Sequence, residues 1–197
     1  MLIIGHRGAP SLEPENTIRS FQKAQELGVD MLETDLRLNS DGQIVLCHNF
    51  LNKHNQPATL EELLRVAKVA LNLEVKETGF ETQLVELLKN FSSEVLVSSK
   101  YPSILKKIRS LDENIKLGLI LGENFFLLPL IPKLDRTLQL YSIHPKSFFC
   151  NRITIEYLKK LNKKIFIWTV NDRERFEKLK EFQIDGVFTD CPNLIRN

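Results

Sequence analysis

Ile165-Phe166-Ile167-Trp168-Thr169-Val170, the amphipathic run from Arg173 to Phe182, and Gly186-Val187-Phe188-Thr189 together decide the fold. The first and last runs are apolar and β-rich, as strands are when helices cover both faces of their sheet. The segment between them keeps a helical period, so the three form a strand, a helix and a second strand. Moving outward, the same alternation recurs along the chain. Strands are expected at Leu2–Gly5, Met31–Leu38, Ile44–His48, Ala70–Val75, Val95–Ser98, Lys116–Leu121 and Leu138–Ile143. Helices are expected at Asn16–Leu27, Thr59–Val69, Glu81–Phe91, Pro102–Leu111, Phe125–Leu134 and Thr154–Leu161. In the first of these helices, Ile18, Phe21, Ala24 and Leu27 form one stripe, Asn16 or Thr17 supplies a cap and Gly28 ends the run. Eight strands that precede a helix point to an α/β (β/α)8 barrel, whose chemistry belongs at the C-terminal strand ends. Such barrels typically take about 250 residues. At 197 residues this chain is near the minimal size, a single domain over 1–197 with no room for large decorations and a shortened last helix.

With 27 basic and 25 acidic side chains the net charge is +2, and 43% of residues are hydrophobic. Those proportions exclude disorder and give no reason to expect nucleic acid as a partner. The longest apolar run, Phe125–Pro132, has 8 residues, far short of the roughly 20 that span a bilayer. The start, Met1-Leu2-Ile3-Ile4-Gly5, lacks the basic leader and apolar stretch of a secretory signal. Cys47, Cys150 and Cys191 form no CxxC pair and leave one over, which speaks against a disulfide scaffold or a zinc site. The expectation is a cytoplasmic protein without a transmembrane segment.

The first strand runs into Gly5-His6-Arg7-Gly8, placing His6 and Arg7 at the barrel rim. In the second, Glu33 and Asp35 are two residues apart and project to one side of the strand. In Leu71-Asn72-Leu73-Glu74-Val75-Lys76, the polar residues again share one face. Adjacent strands then gather Glu33, Asp35 and Glu74 inside the barrel. Three buried negative charges call for protonation or a cation, and an all-carboxylate oxygen set suits Mg²⁺ or Ca²⁺. The structural alternative is a salt network with Arg7, Arg37 or Lys76. After the Ser40-Asp41-Gly42 turn the chain returns to the rim with His48. Three carboxylates, one divalent ion, Arg7 and Lys76 leave one positive charge, which a phosphodiester anion would neutralise. The two histidines could then pass protons to and from the attacking and leaving oxygens.

His6-Arg7-Gly8, Pro14-Glu15-Asn16-Thr17, Glu33-x-Asp35, Asp41-Gly42 followed by His48, Glu74-x-Lys76, Trp168-Thr169-Val170-Asn171 and Asp185-Gly186-Val187-Phe188-Thr189-Asp190 occur in the order seen in the glycerophosphodiester phosphodiesterase family, which the chain resembles over nearly its whole length. The resemblance implies a TIM barrel that hydrolyses glycerophosphodiesters to an alcohol and sn-glycerol 3-phosphate with one divalent cation. It implies His6 and His48 as the acid/base pair, Glu33, Asp35 and Glu74 as ligands, Arg7 and Lys76 on the phosphate, and Trp168 as a wall of the glycerol pocket. Two departures stand out. Asn49 follows the second histidine where the family usually has aspartate, and only Asn49–Ala58 separates His48 from the next helix where members usually carry a longer insertion.

Among the remaining residues, His144 and Lys100 stand at strand ends, where facing the pocket is an option beside a structural role. His54 reads as solvated. Phe125-Phe126-Leu127-Leu128-Pro129 reads as a proline-kinked helix on the barrel, with contact to a lipid interface as the alternative. Two other functions stay open at this stage: a lysophospholipase D using the same site, and a barrel that binds phosphodiesters without turning them over.

Overall fold

The computed structural model describes residues 1–51, 56–122 and 125–196, and His54 lies outside them. Eight parallel strands close into a barrel. They are β1 (Leu2–His6), β2 (Met31–Leu38), β4 (Ala70–Val75), β5 (Val95–Ser99), β6 (Lys116–Leu121), β7 (Ser142–Pro145), β8 (Lys164–Ile167) and β9 (Gly186–Thr189). A short β3 (Ile44–Leu46) pairs antiparallel with the end of β2. The spatial order is β1-β9-β8-β7-β6-β5-β4-β2, and β1 pairs with β2 to complete the ring.

Helices α1 (Ile18–Glu26), α2 (Leu60–Val66), α3 (Glu81–Leu88), α4 (Pro102–Leu111), α5 (Ile131–Leu138), α6 (Arg152–Lys159), α7 (Arg173–Glu181) and the five-residue α8 (Pro192–Arg196) follow successive strands. Their starts are set by side-chain caps. Thr17 accepts from Ser20 N–H, Asn151 from Thr154 and Asp172 from Arg175, while Thr59 and Glu62 form a reciprocal capping box.

Two apolar layers hold the structure. The larger lies between strands and helices and includes Leu32, Leu36, Leu71, Leu73, Val75 and the inner stripes of the helices. The smaller, Ile4, Met31, Leu96, Phe166 and Phe188, fills the barrel interior. Strand alternation then stacks polar residues above this interior plug toward the C-terminal ends: His6 follows Ile4, Glu33 and Asp35 follow Met31, and Asp190 follows Phe188. Gly118 on β6 leaves room for His144, because a Cβ there would lie 2.7 Å from His144 Nε2.

Local boundaries differ from expectation where prolines and a helix end intervene. Residues 125–130 form a 3₁₀ turn containing Pro129, and the helix begins only at Ile131, with Pro132 in its first turn. That helix runs through Leu138. Gln139 then adopts a left-handed conformation and Leu140 N–H donates to Asp135 Oδ1 at 2.7 Å, so β7 starts at Ser142 rather than Leu138. Among the described residues no helix is long and apolar enough to cross a membrane, and all three cysteines are free thiols.

Candidate active site

The end of β1 is a tight reversal. Arg7 has φ +55° and Gly8 φ +95°, where a side chain on Gly8 would collide with Ser20. The turn carries Arg7 over the barrel mouth, with its own N–H donating to Glu33 Oε2 at 2.9 Å. Its carbonyl accepts from Asn16 N–H at 3.1 Å and from Ser20 Oγ at 3.1 Å. Asn16 in turn donates from Nδ2 to Asp35 Oδ2 at 3.0 Å and accepts from Thr34 Oγ1 at 2.8 Å. The β1–α1 loop is thus tied to both carboxylates of β2.

The sheet register sets His6 beside Glu33, Glu33 beside Asn72 and Asp35 beside Glu74. One carboxylate oxygen from each of Glu33, Asp35 and Glu74 lies within 4.8 Å of the others. Lys76 Nζ sits 2.7 Å from Glu74 Oε1 and 2.9 Å from Asp35 Oδ1. Arg7 Nε is 3.1 Å from Asp35 Oδ2, and its Nη1 is 2.9 Å from Glu15. The contacts of Arg7 Nε with Asp35 and of Asp35 Oδ1 with Lys76 are ion pairs that miss hydrogen-bond alignment, so both atoms keep unused capacity. The anticipated salt network therefore exists for Arg7 and Lys76. Arg37 is not in it: its Nη1 pairs with Glu77 at 2.6 Å, and its Nε and Nη2 donate to the His48 carbonyl at 3.2 and 3.0 Å.

Charge placement separates the acids. Burial and the adjacent Asp35 charge push the Glu33 carboxyl up to about 8, whereas Asp35, despite its burial, is held at about 2 by Lys76 and Arg7. Burial also raises Glu74 against the pull of Lys76. For His6, burial lowers proton affinity, but Glu33 and the Asp190 hydrogen bond outweigh it and hold the imidazole above its ordinary value. Its Nδ1 donates to Asp190 Oδ1 at 2.6 Å, its Nε2 lies 3.9 Å from Glu33, and Asn171 Nδ2 donates to the other Asp190 oxygen at 2.6 Å. His48 is shifted the opposite way, first by burial and then by Arg7 and Lys76 against the opposing Asp35.

A cavity of about 480 Å³ opens at the C-terminal mouth. One half is lined by His6, Arg7, Glu33, His48, Asn72, Glu74 and Lys76, the other by Ile120, Gly122, His144, Lys146, Trp168 and Phe188. Asp35, fully buried, lies against the first half through its pairs with Arg7 and Lys76. Trp168 is fixed by its Nε1 donating to the His144 carbonyl at 2.8 Å. His144 is itself buried among Phe166 and Phe188, bonded to Ser142 Oγ at 2.7 Å, and burial pushes it down to about 3, so it is a neutral lining group. Lys100 reaches the rim as well. A second cleft of about 490 Å³ shares His48, Lys76, Lys100 and Tyr101 with the first and continues to Phe50, Glu77 and Thr78.

Five buried polar side-chain atoms among the described residues lack a hydrogen-bond partner, and four belong here: Arg7 Nε, Asp35 Oδ1, His48 Nδ1 and Asn72 Oδ1. Arg7 Nε and Asp35 Oδ1 are held in ion pairs, which leaves His48 Nδ1 and Asn72 Oδ1 as the uncompensated pair; such groups are costly in a folded interior, and both face the same cavity, as a ligand site would require. The donor set fits a hard divalent cation: the oxygens converge, Asp35 Oδ1 has spare capacity, and Glu33 is forced toward a neutral acid without added positive charge.

The sequence marked His6, Arg7, Glu33, Asp35, His48, Glu74, Lys76 and Trp168 as site residues and His144 and Lys100 as options, but gave no role to others found here, Glu15, Lys146 and Asn171 among them. Asp190 and Asn16 were quoted within ordered motifs without a role, and Arg37 was placed with the wrong carboxylates. A residue one strand step beyond Phe188 on β9 faces the barrel, and that alternation was the signal available for Asp190.

The chain matches the Glycerophosphoryl diester phosphodiesterase family over residues 6–78 and 53–194. A glycerophosphodiester phosphodiesterase of Caldanaerobacter subterraneus is 28% identical, with 100% of this chain and 96% of that protein aligned. The 239-residue alignment exceeds the 197 residues here, so that relative carries segments this chain lacks. The crystal structure of a glycerophosphodiester phosphodiesterase from Thermotoga maritima superimposes with a TM-score of 0.86 at 26% identity, covering 98% of this chain and 96% of that one. An Oleispira antarctica phosphodiesterase, crystallised with the product sn-glycerol 3-phosphate, shares the fold with a TM-score of 0.84 at 22% identity, covering 100% of this chain and 95% of that one. A closed barrel with acid, base and cationic side chains converging at its mouth, matched along nearly its whole length, belongs to the glycerophosphoryl diester phosphodiesterase family and is a phosphodiesterase.

Proposed function

We propose that the enzyme hydrolyses glycerophosphodiesters to an alcohol and sn-glycerol 3-phosphate, with one divalent cation, Mg²⁺ or Ca²⁺, held by Glu33, Asp35 and Glu74. The observation that carries this reading is the convergence of those carboxylates, Arg7, Lys76 and two histidines on one cavity. When bound, the cation polarises the phosphoryl oxygens and offsets the negative charge that builds on them. Arg7 and Lys76 hold the non-bridging oxygens. His48, neutral at rest, takes the proton of the attacking water. His6, whose proton affinity Glu33 and Asp190 hold above its ordinary value, gives its proton to the departing alcohol oxygen as the phosphorus–oxygen bond breaks. Asp190 positions the imidazole and stabilises its charged form. Trp168 and the apolar half of the cavity would take the glycerol carbons, in keeping with the product bound by the Oleispira enzyme. A lysophospholipid is a second substrate reading, supported by the exposed aromatic side chains at the mouth. The free thiols support the cytoplasm as the compartment.

Release of glycerol 3-phosphate from glycerophosphocholine with Mg²⁺ or Ca²⁺, abolished by chelator and by His6→Ala or His48→Ala, is the expected result. Tight binding of the diester with no turnover under any metal would establish a non-catalytic barrel instead.

A further inference from the structure

Five aromatic side chains stand well out of the surface among the described residues, and four of them lie in loops at the mouth of the barrel. Phe50, Tyr101, Phe126 and Phe148 are 82%, 41%, 72% and 85% exposed, and only Tyr157 sits elsewhere, on α6. They follow β3, β5, β6 and β7, and with the β4 loop between them they occupy consecutive positions around one half of the rim. Single exposed apolar residues are ordinary on a soluble surface, and Met1, Leu2 and Ile153 are further examples, but four of the five exposed aromatic rings standing on one arc of the catalytic end is a clustering that needs a reason.

Among the described residues of the same arc the charge is one-sided. Lys100 and Lys146 line the cavity edge with no carboxylate partner among the described residues, lying 5.4 Å from the Tyr101 ring and 5.8 Å from the Trp168 ring. The one described carboxylate in the exposed part of these loops, Glu77, is neutralised by Arg37. Aromatic tips interleaved with unpaired lysines complement an anionic lipid surface, where rings enter the headgroup layer and lysines meet lipid phosphates. Phe50 and Tyr101 border the second cleft, but Phe126 and Phe148 stand on other loops outside both cavities, so the four tips form no continuous groove and suit insertion into a fluid layer better than the grip of a folded partner.

We propose that this half-rim of Phe50, Tyr101, Phe126 and Phe148 with Lys100 and Lys146 seats the barrel mouth on an anionic lipid surface, delivering phosphodiesters carried in that surface to the site. The proposal rests on the phosphodiesterase reading for its purpose, but its test reads binding alone. Phe126 and Phe148 touch no catalytic group, so the double variant F126S/F148S should hydrolyse soluble glycerophosphocholine at the wild-type rate. In co-sedimentation at low salt, the wild type should pellet with vesicles of phosphatidylcholine and phosphatidylglycerol, and much less with phosphatidylcholine alone. The double variant should lose at least about tenfold in partitioning, as expected for removing two inserting phenyl rings. F126W/F148W should restore it, and high salt should release the wild type. No pelleting of the wild type, equal pelleting with neutral vesicles, or undiminished pelleting of F126S/F148S would each overturn the proposal. So would a wild-type dimer that becomes monomeric in F126S/F148S, since the rings would then cover a second copy. Failure to turn over soluble diester would defeat the catalytic reading while leaving the vesicle result to be judged separately.

Discussion

Metal binding should expel a proton from Glu33, and the amount is set by where burial has placed that carboxyl. Glu33 is 2% exposed and lies against Asp35, which keeps its own charge because Lys76 and Arg7 hold it. With Glu33 at about 8, roughly nine-tenths of the metal-free molecules carry its proton at pH 7, and a ligand carboxylate must give that proton up. Binding should release most of a proton from this group at pH 7 and progressively less as the pH rises past about 8. Glu74, also raised by burial, adds in the same direction. The sign for affinity follows: binding should strengthen about tenfold per pH unit up to about pH 8 and then flatten. Calorimetric titration of Ca²⁺ or Mg²⁺ in two buffers of different ionisation heat measures the released proton directly. E33Q, which cannot hold the proton, should bind more weakly at pH 9 and lose most of the buffer dependence. Identical heats in the two buffers at pH 7, with clear binding, would refute the reasoning, because Glu33 would then be ionised before any cation arrived.

Four further outcomes are expected. Asp190→Asn removes the charge that favours the His6 imidazolium; the rate should fall about ten- to a hundredfold, as when a histidine's orienting partner is lost, and the basic limb of the pH–rate profile should move to lower pH. His6→Ala and His48→Ala should each lose on the order of 10² to 10⁴ in rate, and a nitrophenyl leaving group should rescue only the variant lacking the acid, His6→Ala. Arg37→Met frees the His48 carbonyl from two hydrogen bonds; kcat should drop about ten- to a hundredfold with little change in KM, and Arg37→Lys should fall between, as steady-state kinetics can show. Gly118→Ala forces a methyl group toward His144 and should cost about 1–3 kcal/mol in denaturant unfolding.

Much of this molecule was legible because barrel strands obey a period of two while their helices obey one of 3.6. Ile165-Phe166-Ile167 and Leu71-Asn72-Leu73-Glu74-Val75 carry both the fold and the direction of the site, since a lumen-facing carboxylate can only lie with its neighbours in register. Where chain ends of elements are set by single residues, the pattern was silent. Gln139 leaves the helix through a left-handed conformation that hydrophobic spacing does not mark, and β7 accordingly began four residues later than expected. At residues 125–130 the apolar content suggested a helix, but Pro129 lacks the N–H that would extend a regular one, and a 3₁₀ turn formed.

Partner choice within the site is a different kind of information. Alternation shows that Glu33, Asp35, Glu74 and Lys76 share a side, yet it is the reach of Lys76 that makes Asp35 the settled anion and leaves Glu33 as the acid that burial drives toward its neutral form. Arg37 illustrates the same limit from the other direction. It lies two residues after Asp35, so alternation alone would put it in the same network. The β2–β3 hairpin extends beyond the barrel ring there, and at that height its nearest carboxylate is Glu77 and its nearest carbonyl is that of His48. The consequence bears on the family departure at Asn49. An aspartate after the histidine would add a negative charge beside the imidazole, whereas here the segment is anchored through its backbone by a guanidinium. That anchoring fixes position without raising basicity, and it agrees with the lowered proton affinity of His48, which suits the base role proposed for it.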